Sequence, residues 1–350
     1  MLDLASDPAD LTATLVDFPS ESHQEGPLAD LVEATLRAVP HLDVARVGNT
    51  VIARTDNGRA ERVLLGGHLD TVPSAGNLPH RLVGDRLYGL GACDMKGGVA
   101  ASLHVAAAVA APRRDVTYVY YDCEEVASQY NGLQKVLDEQ PHLLAADLAI
   151  LMEPSNAGVE AGCQGTLRAR VDIPGTRAHS ARSWMGVNAI HGASDALARL
   201  RDYEPRQPMV DGLRYREGLQ AVGISGGVAT NIIPDGCTIT VNYRFAPDRT
   251  VDEAFAHVCE VLDGYAVTLE DSAPPARPGL DRAAAADFVA HVGATPQPKY
   301  GWTDVARFSS LGVPALNFGP GDPSLAHSRD ENVPVEEVRR VARLLVDWLS

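Results

Sequence analysis

Cysteine is scarce in this sequence and nothing in its spacing suggests pairing. The five residues Cys93, Cys123, Cys163, Cys237 and Cys259 are odd in number and far apart. No Cys-x-x-Cys occurs, which argues against a zinc ribbon and a disulfide framework. A reducing compartment fits best, so a cytoplasmic location is expected. Positive charge is also short: 30 Lys and Arg stand against 46 Asp and Glu, a formal net charge of -16. A nucleic-acid binder needs a basic face to meet phosphates, so no nucleic-acid partner is expected. Long apolar runs are missing. The longest, Gly97 to Ala111, is broken by Ser102 and His104. It is too short to span a bilayer and reads as a core helix, so no membrane partner is expected. The first residues, Met1 to Asp7, are acidic and lack the basic-then-apolar order of a secretory leader. Phosphate-binding signatures are absent too. Gly89-x-Gly91-x-x-Asp94 lacks a third glycine, and no G-x-x-x-x-G-K-[ST] occurs. There is no fixed-period repeat or low-complexity tract.

What is present is the composition of a soluble globular protein: 350 residues, 45% hydrophobic and 22% charged, enough for one large or two ordinary domains. The chain is organised around Val63-Leu64-Leu65-Gly66-Gly67-His68-Leu69-Asp70-Thr71-Val72. An apolar strand ends in a histidine and an aspartate two apart, on one face of an extended backbone. Metal-binding histidines usually donate their second N–H to a carboxylate or carbonyl. His-x-Asp supplies either that pair or two separate roles. Two further apolar strands end in acids: Val116 to Tyr121 before Glu124 and Glu125, and Ala146 to Met152 before Glu153. Between the His68 strand and the Val116 strand, a glycine-rich loop from Gly84 to Gly98 delivers Asp94 to the start of the Gly97 helix, where the helix dipole favours an anion. Helices are expected over Asp10 to Phe18 and Pro27 to Val39, and a hairpin over Val44 to Arg54. Alternating strands and helices imply a mostly parallel sheet covered by helices, with its ligand site at the carboxyl ends of the strands.

The pattern then changes. Strands at Thr166 to Ile173, Leu219 to Ile224, Cys237 to Phe245 and Tyr265 to Leu269 alternate with helices at Ala189 to Leu200 and Val251 to Leu262. This βαββαβ order is that of a ferredoxin-like unit. The predicted organisation is therefore α/β: a catalytic body of residues 1–165 and 272–350, and an inserted α+β domain of 166–271. Ser272 to Pro278 is read as the return linker. The body resumes with a helix over Arg282 to Val292, a loop over Tyr300 to Phe308, a strand over Pro314 to Phe318 and a last helix over Val335 to Leu349.

His68, Asp70, Asp94, Glu124, Glu125, Glu153 and His327 form the candidate constellation. Histidine nitrogens and carboxylate oxygens without cysteine suit zinc in an open catalytic site. Two histidines and three carboxylates exceed one tetrahedral zinc but fill two sites if one carboxylate bridges. Two Zn²⁺ and three ligating carboxylates leave one positive charge, and zinc lowers the pKa of bound water to about 7.

The segments Gly67-His68-Leu69-Asp70-Thr71-Val72, Gly91-Ala92-Cys93-Asp94-Met95-Lys96-Gly97-Gly98, Cys123-Glu124-Glu125, Met152-Glu153-Pro154, Ala178-His179-Ser180-Ala181, Thr230-Asn231-Ile232-Ile233-Pro234 and Ala326-His327-Ser328 resemble a known family, in its order and over nearly the whole chain. It is the dinuclear zinc amidohydrolases and peptidases, which include aminoacylase, acetylornithine deacetylase, carboxypeptidases and succinyl-diaminopimelate desuccinylase. The wording of Tyr121 to Val126 and His179 to Gly186 is most similar to the actinobacterial-type desuccinylases. The resemblance implies a zinc-exopeptidase-like body, a lid and dimerisation domain, a homodimer, and two Zn²⁺ with Co²⁺ able to substitute. It implies that Asp94 bridges the metals, with His68 and Glu153 on one and Glu125 and His327 on the other. Asp70 would orient His68. Glu124 would be the general base, passing a proton from water to the leaving amine. His179 would reach a neighbouring subunit's site and steady the oxyanion. Arg244 and Arg307 match positions that bind or flank the substrate carboxylate. Arg182 is a further candidate, and Asn231 would hydrogen-bond substrate or shape the hinge.

The implied reaction hydrolyses a small N-acyl amino acid, N-succinyl-LL-2,6-diaminopimelate. The alternatives are an acetylornithine deacetylase-like, carboxypeptidase-like or dipeptidase-like hydrolase, and a non-catalytic metal- or peptide-binding relative. One departure stands out: Cys93 occupies a position that more often holds Thr or Ser. Cys93, Cys123 and Cys163 read as small buried fillers; the sharper alternative is a thiol whose oxidation inactivates the enzyme.

Overall fold

The computed structural model describes residues 1–350. The chain divides into two compact units. The first comprises Met1–Ala161, Gly279–Gln297 and Arg307–Ser350; the second comprises Gly162–Pro278 and Pro298–Ala306.

The first unit is built on an eight-stranded mixed sheet. Its order is Asp43–Val47, Thr50–Arg54, Asp115–Tyr121, Arg62–His68, Leu148–Leu151, Ala315–Asn317, Glu160–Ala161 and Gln297–Pro298. The four strands from Asp115–Tyr121 to Ala315–Asn317 run parallel, and the Asp43–Arg54 hairpin joins them antiparallel. Every residue of Asp115–Tyr121 is buried. A strand buried on both faces reads as a continuous apolar run, which is why Val116 to Tyr121 does not alternate. Helices Pro8–Val16, Gly97–Ala108 and Val335–Leu349 pack on one another. Val335–Leu349 buries Val338, Val341, Ala342, Leu345 and Trp348, the three-and-four spacing of a single apolar stripe. Gly97–Ala108 is buried almost all round, as its Ala-rich sequence allows. No helix is long and apolar enough to cross a membrane.

The second unit is a four-stranded antiparallel sheet in the order Gly218–Gly226, Gly236–Phe245, Gly165–Pro174, Ala266–Ala273. The first and third strands in sequence are central, the ferredoxin-like arrangement. Gly165–Pro174 and Gly236–Phe245 alternate buried and less buried residues. Their inward side chains Leu167, Ala169, Val171, Val241, Tyr243 and Phe245 share a core with Ala196, Leu200, Ala254 and Val258 of the helices. A capping box between Thr250 and Glu253 starts helix Val251–Val261.

Local details differ from the sequence reading. Ser272 and Ala273, read as linker, continue the edge strand and pair with Leu167 and Thr166, because the ladder resumes beyond a bulge at Leu269/Asp271. The helix expected over Ala189 to Leu200 is two helices, Ala189–Gly192 and Ser194–Arg201. The polar loop around Gly84 carries two short strands, Arg81–Val83 and Arg86–Tyr88, the second of which also pairs with Asn332–Pro334.

Candidate metal centre

The site forms where three neighbouring parallel strands end. Gly66 stands opposite Leu151, and His68 opposite Tyr121. Two residues further along each of the first pair bring His68 level with Glu153, while Glu124 and Glu125 follow shortly after Tyr121. Close backbone approach makes this possible. A Cβ at Gly98 would strike the Met152 carbonyl, and one at Gly319 would strike the carbonyls of Met152 and Glu153. The start of the Gly97–Ala108 helix and the turn after Ala315–Asn317 can therefore close around Glu153, which is buried.

His68 is buried, with Nε2 3.2 Å from Asp94 Oδ1 and Nδ1 3.0 Å from the Asp70 carbonyl oxygen. Asp94 Oδ2 is 3.4 Å from His327 Nε2. That same Nε2 stands 2.8 Å from Glu125 Oε1. One carboxylate thus faces a different histidine with each oxygen. The electrostatics favour positive charge here. Burial works against a charged His68 ring, but hydrogen bonds to Asp70 and Asp94 raise its pKa well above the ordinary imidazole value. Hydrogen bonds to Asp94 and then Glu125 lift His327 to about 10. The two histidines in turn hold Asp94 well below the usual carboxylate range, although its burial acts in the opposite direction. A bound proton and a bound metal satisfy such carboxylates in the same way, so this donor set suits cations. His68, Asp94 and Glu125 each bring a ligand atom within 4.8 Å of the others. With a cation at Nε2, His68 keeps its Nδ1–H on the Asp70 carbonyl, the usual arrangement of a metal-binding histidine.

The sequence profile of the peptidase family M20/M25/M40 matches residues 64–350. The chain belongs to this family. It is 54% identical over 353 residues, covering 100% of both chains, to a protein of Mycobacterium tuberculosis named "Putative succinyl-diaminopimelate desuccinylase DapE". It is 49% identical to the succinyl-diaminopimelate desuccinylase of Corynebacterium glutamicum, covering 100% of this chain and 98% of the other. Among solved structures, the Bacillus subtilis YXEP protein, described as a dinuclear metal binding peptidase of the M20 family, superposes with a TM-score of 0.73. That match has 17% identity and covers 99% of this chain and 98% of the other.

In this M20 chain, Asp70 stands beside His68, where the sequence reading put it, and carries further contacts. Its carboxylate stands 3.6 Å from His68 Nδ1. The closer contact is the main-chain carbonyl. The carboxylate also accepts the backbone N–H of Glu124 at 3.0 Å and of Glu125 at 3.1 Å, with the Ser22 hydroxyl donating at 2.8 Å. It therefore holds the turn that carries the expected base and ligand.

Sequence reasoning missed Glu331. Its buried carboxylate accepts the backbone N–H groups of Gly91, Cys93 and Asp94 at 2.9–3.0 Å. Burial pushes its pKa up to about 7 in spite of those three donors. It shapes the turn that presents Asp94. The only available signal was a glutamate four residues after His327, which does not distinguish a buried acceptor from a solvated one.

The remaining candidates are placed within their own units. Arg307 lies in the first unit, where its guanidinium bonds Gln134 Oε1 at 2.6 Å and Ser128 Oγ at 2.9 Å. In the second unit, His179 pairs with Ile232, and the Ser180 N–H donates to the Asn231 carbonyl. This puts His179 and Asn231 side by side. Arg182 is exposed on the short helix Ser180–Met185, and Arg244 is exposed near the end of Gly236–Phe245. Among the cysteines, burial pushes the Cys123 thiol up to about 12 and the Cys163 thiol to about 11. Oxidants attack thiolates, so these raised values argue against redox inactivation through either thiol.

Proposed function

We propose that the chain is a metal-dependent amide hydrolase that cleaves N-succinyl-LL-2,6-diaminopimelate into succinate and LL-2,6-diaminopimelate. The full-length likeness to two relatives named for this activity carries the substrate. The Asp94 carboxylate, facing His68 with one oxygen and His327 with the other, supports two metals. In this reading Asp94 bridges, His68 and Glu153 hold one metal, and Glu125 and His327 hold the other. Zinc, with cobalt as a substitute, would lower the pKa of a bound water and polarise the amide carbonyl.

The chain's own groups do the rest. Glu124 takes the proton of the attacking water and delivers it to the departing amine nitrogen, acting as base and then as acid. Asp70 fixes the backbone of Glu124 and so the direction of that transfer. His179 donates to the developing oxyanion in a neighbouring subunit's site. Arg244, Arg182 and Arg307 are the cations offered to the substrate carboxylates, and Asn231 offers its amide. Of these, Arg307 is already occupied by Gln134 and Ser128 and would have to exchange partners. Homodimerisation and a cytoplasmic location complete the reading. The free cysteines agree with the second.

Turnover of the succinylated substrate, N-acetylornithine and a dipeptide by zinc-loaded protein tests the assignment. The succinylated substrate is expected to win; faster turnover of either other one overturns it. Glu124→Ala should keep its metal and lose hydrolysis, and a fully active variant removes Glu124 as the base.

A further inference from the structure

Next to the Glu124–Glu125 turn lies a second group of donors that the proposed reaction does not use. Glu25 at the start of helix Gly26–Arg37 and Asp122 and Cys123 after strand Asp115–Tyr121 each bring a ligand atom within 4.8 Å of the others. Exposed His23 borders this group and meets one member of it, with Nδ1 3.5 Å from Cys123 Sγ. Cys123 Sγ is also 3.4 Å from Glu25 Oε1. On a tetrahedral zinc, with Zn–S about 2.3 Å and Zn–N or Zn–O about 2.0–2.1 Å, a sulfur and a lighter ligand atom stand about 3.5 Å apart. Cys123 already keeps that separation from both His23 and Glu25.

A second observation points to a missing cation. Glu25 is fully buried; its Oε1 accepts the backbone N–H groups of His23 and Cys123 and the Cys123 thiol, while its Oε2 has no hydrogen-bond partner. A buried carboxylate oxygen without a donor is costly.

We propose that His23, Glu25, Asp122 and Cys123 form a binding site for one further zinc-class cation, separate from the His68–Asp94–His327 centre. The sulfur sets the chemistry: thiolate with imidazole favours zinc and cadmium over magnesium and calcium. As sulfur binds the metal, the Cys123 thiol proton leaves to solvent. The bound cation would tie the start of the Gly26–Arg37 helix to the residue just before Glu124.

The catalytic candidates include no cysteine, so a thiolate band does not come from the His68–Asp94–His327 centre. The chelator-stripped full chain is titrated with Cd²⁺ while the ultraviolet thiolate-to-cadmium charge-transfer band and the metal bound per chain are measured. The wild type should develop the band and bind one cation more than Cys123→Ser, which should lack the band. Glu25→Gln keeps the thiol and should lose the same cation. Cys259→Ser, the control for stray thiol binding, should match the wild type. The proposal is overturned if the wild type shows no band, if the band survives in Cys123→Ser, or if Glu25→Gln binds as many cations as the wild type.

Discussion

Asp70 meets His68 through its main-chain carbonyl and the Glu124–Glu125 turn through its carboxylate. A substitution can separate these two contacts. Asp70→Asn keeps the carbonyl but has a single acceptor oxygen for the two amides. Metal content should stay near that of the wild type, while kcat falls about 10–100-fold, the usual range for a supporting group of a metal site. Metal analysis beside steady-state kinetics checks this, and metal loss as large as that of Asp94→Asn would refute it. Glu331→Gln acts on the other side of the centre. One amide oxygen cannot replace a carboxylate that takes three backbone N–H groups, and each orphaned buried donor costs about 1–3 kcal/mol. Denaturant unfolding of the chelated protein should show a loss of that order, and the metal-loaded protein should show weaker metal binding through Asp94. Unchanged midpoints in both states would rule out this role. The convergence of His68, Asp94, Glu125 and His327 was legible in the sequence because polar residues after buried strands have few places to go. Which atom of Asp70 stands nearer His68 was not legible, because a carbonyl and a carboxylate of the same residue leave one signature. Glu331 was invisible because its ligands are backbone amides, which no side-chain pattern announces.

At the scale of elements, the central strands and long helices follow from their sequence patterns. Buried strands such as Asp115–Tyr121 give unbroken apolar runs, and the last helix keeps its three-and-four stripe. What escaped was decided by tertiary pairing: the extension of Ala266–Ala273 through Ser272, and the short strands around Gly84. The meeting of the Gly97–Ala108 helix with the Leu148–Leu151 strand end depends on a missing side chain. Gly98→Ala would push a methyl into the Met152 carbonyl, which belongs to the backbone and cannot swing aside. Overpacking of this kind costs about 1–3 kcal/mol. Thermal unfolding should register it, and Glu153, one residue on, should lose metal affinity with it. A second element junction is pinned by Asp115, whose carboxylate accepts the Thr55 hydroxyl and the Asn57 and Arg59 amides. Burial opposes its ionisation, yet those bonds, led by the Asn57 amide, lower its pKa. Its contribution to stability is therefore full above the unfolded value of about 3.9 and fades as pH falls through the lower folded value. Asp115→Asn should cost about 1–3 kcal/mol near neutral pH. The difference from wild type should shrink below about pH 3.9; a gap that stays constant into acid would contradict the assignment.

For the whole molecule, composition limited the field to an acidic protein without a basic face or a membrane-length run, and motif order did the rest. At this scale the second unit has an exposed apolar strand edge. Gly218–Gly226 is an edge strand, and Val222 and Ile224 on it are 61% and 55% exposed. Ile190 lies against the end of that strand and is itself exposed, as is Leu197 on the neighbouring helix. An open strand edge flanked by apolar side chains invites pairing with another chain unless something covers it. A second copy of the same unit is the occupant that the proposed homodimer supplies. Light scattering should then give twice the chain mass of 37.2 kDa. Val222→Lys with Ile224→Lys places like charges along that edge and should yield folded monomers. If His179 serves the neighbouring subunit, those monomers should retain their metal and lose turnover, and His179→Ala should lose turnover while remaining dimeric. A wild-type chain that stays monomeric at every concentration, or a charged-edge monomer with full kcat, would overturn the shared site.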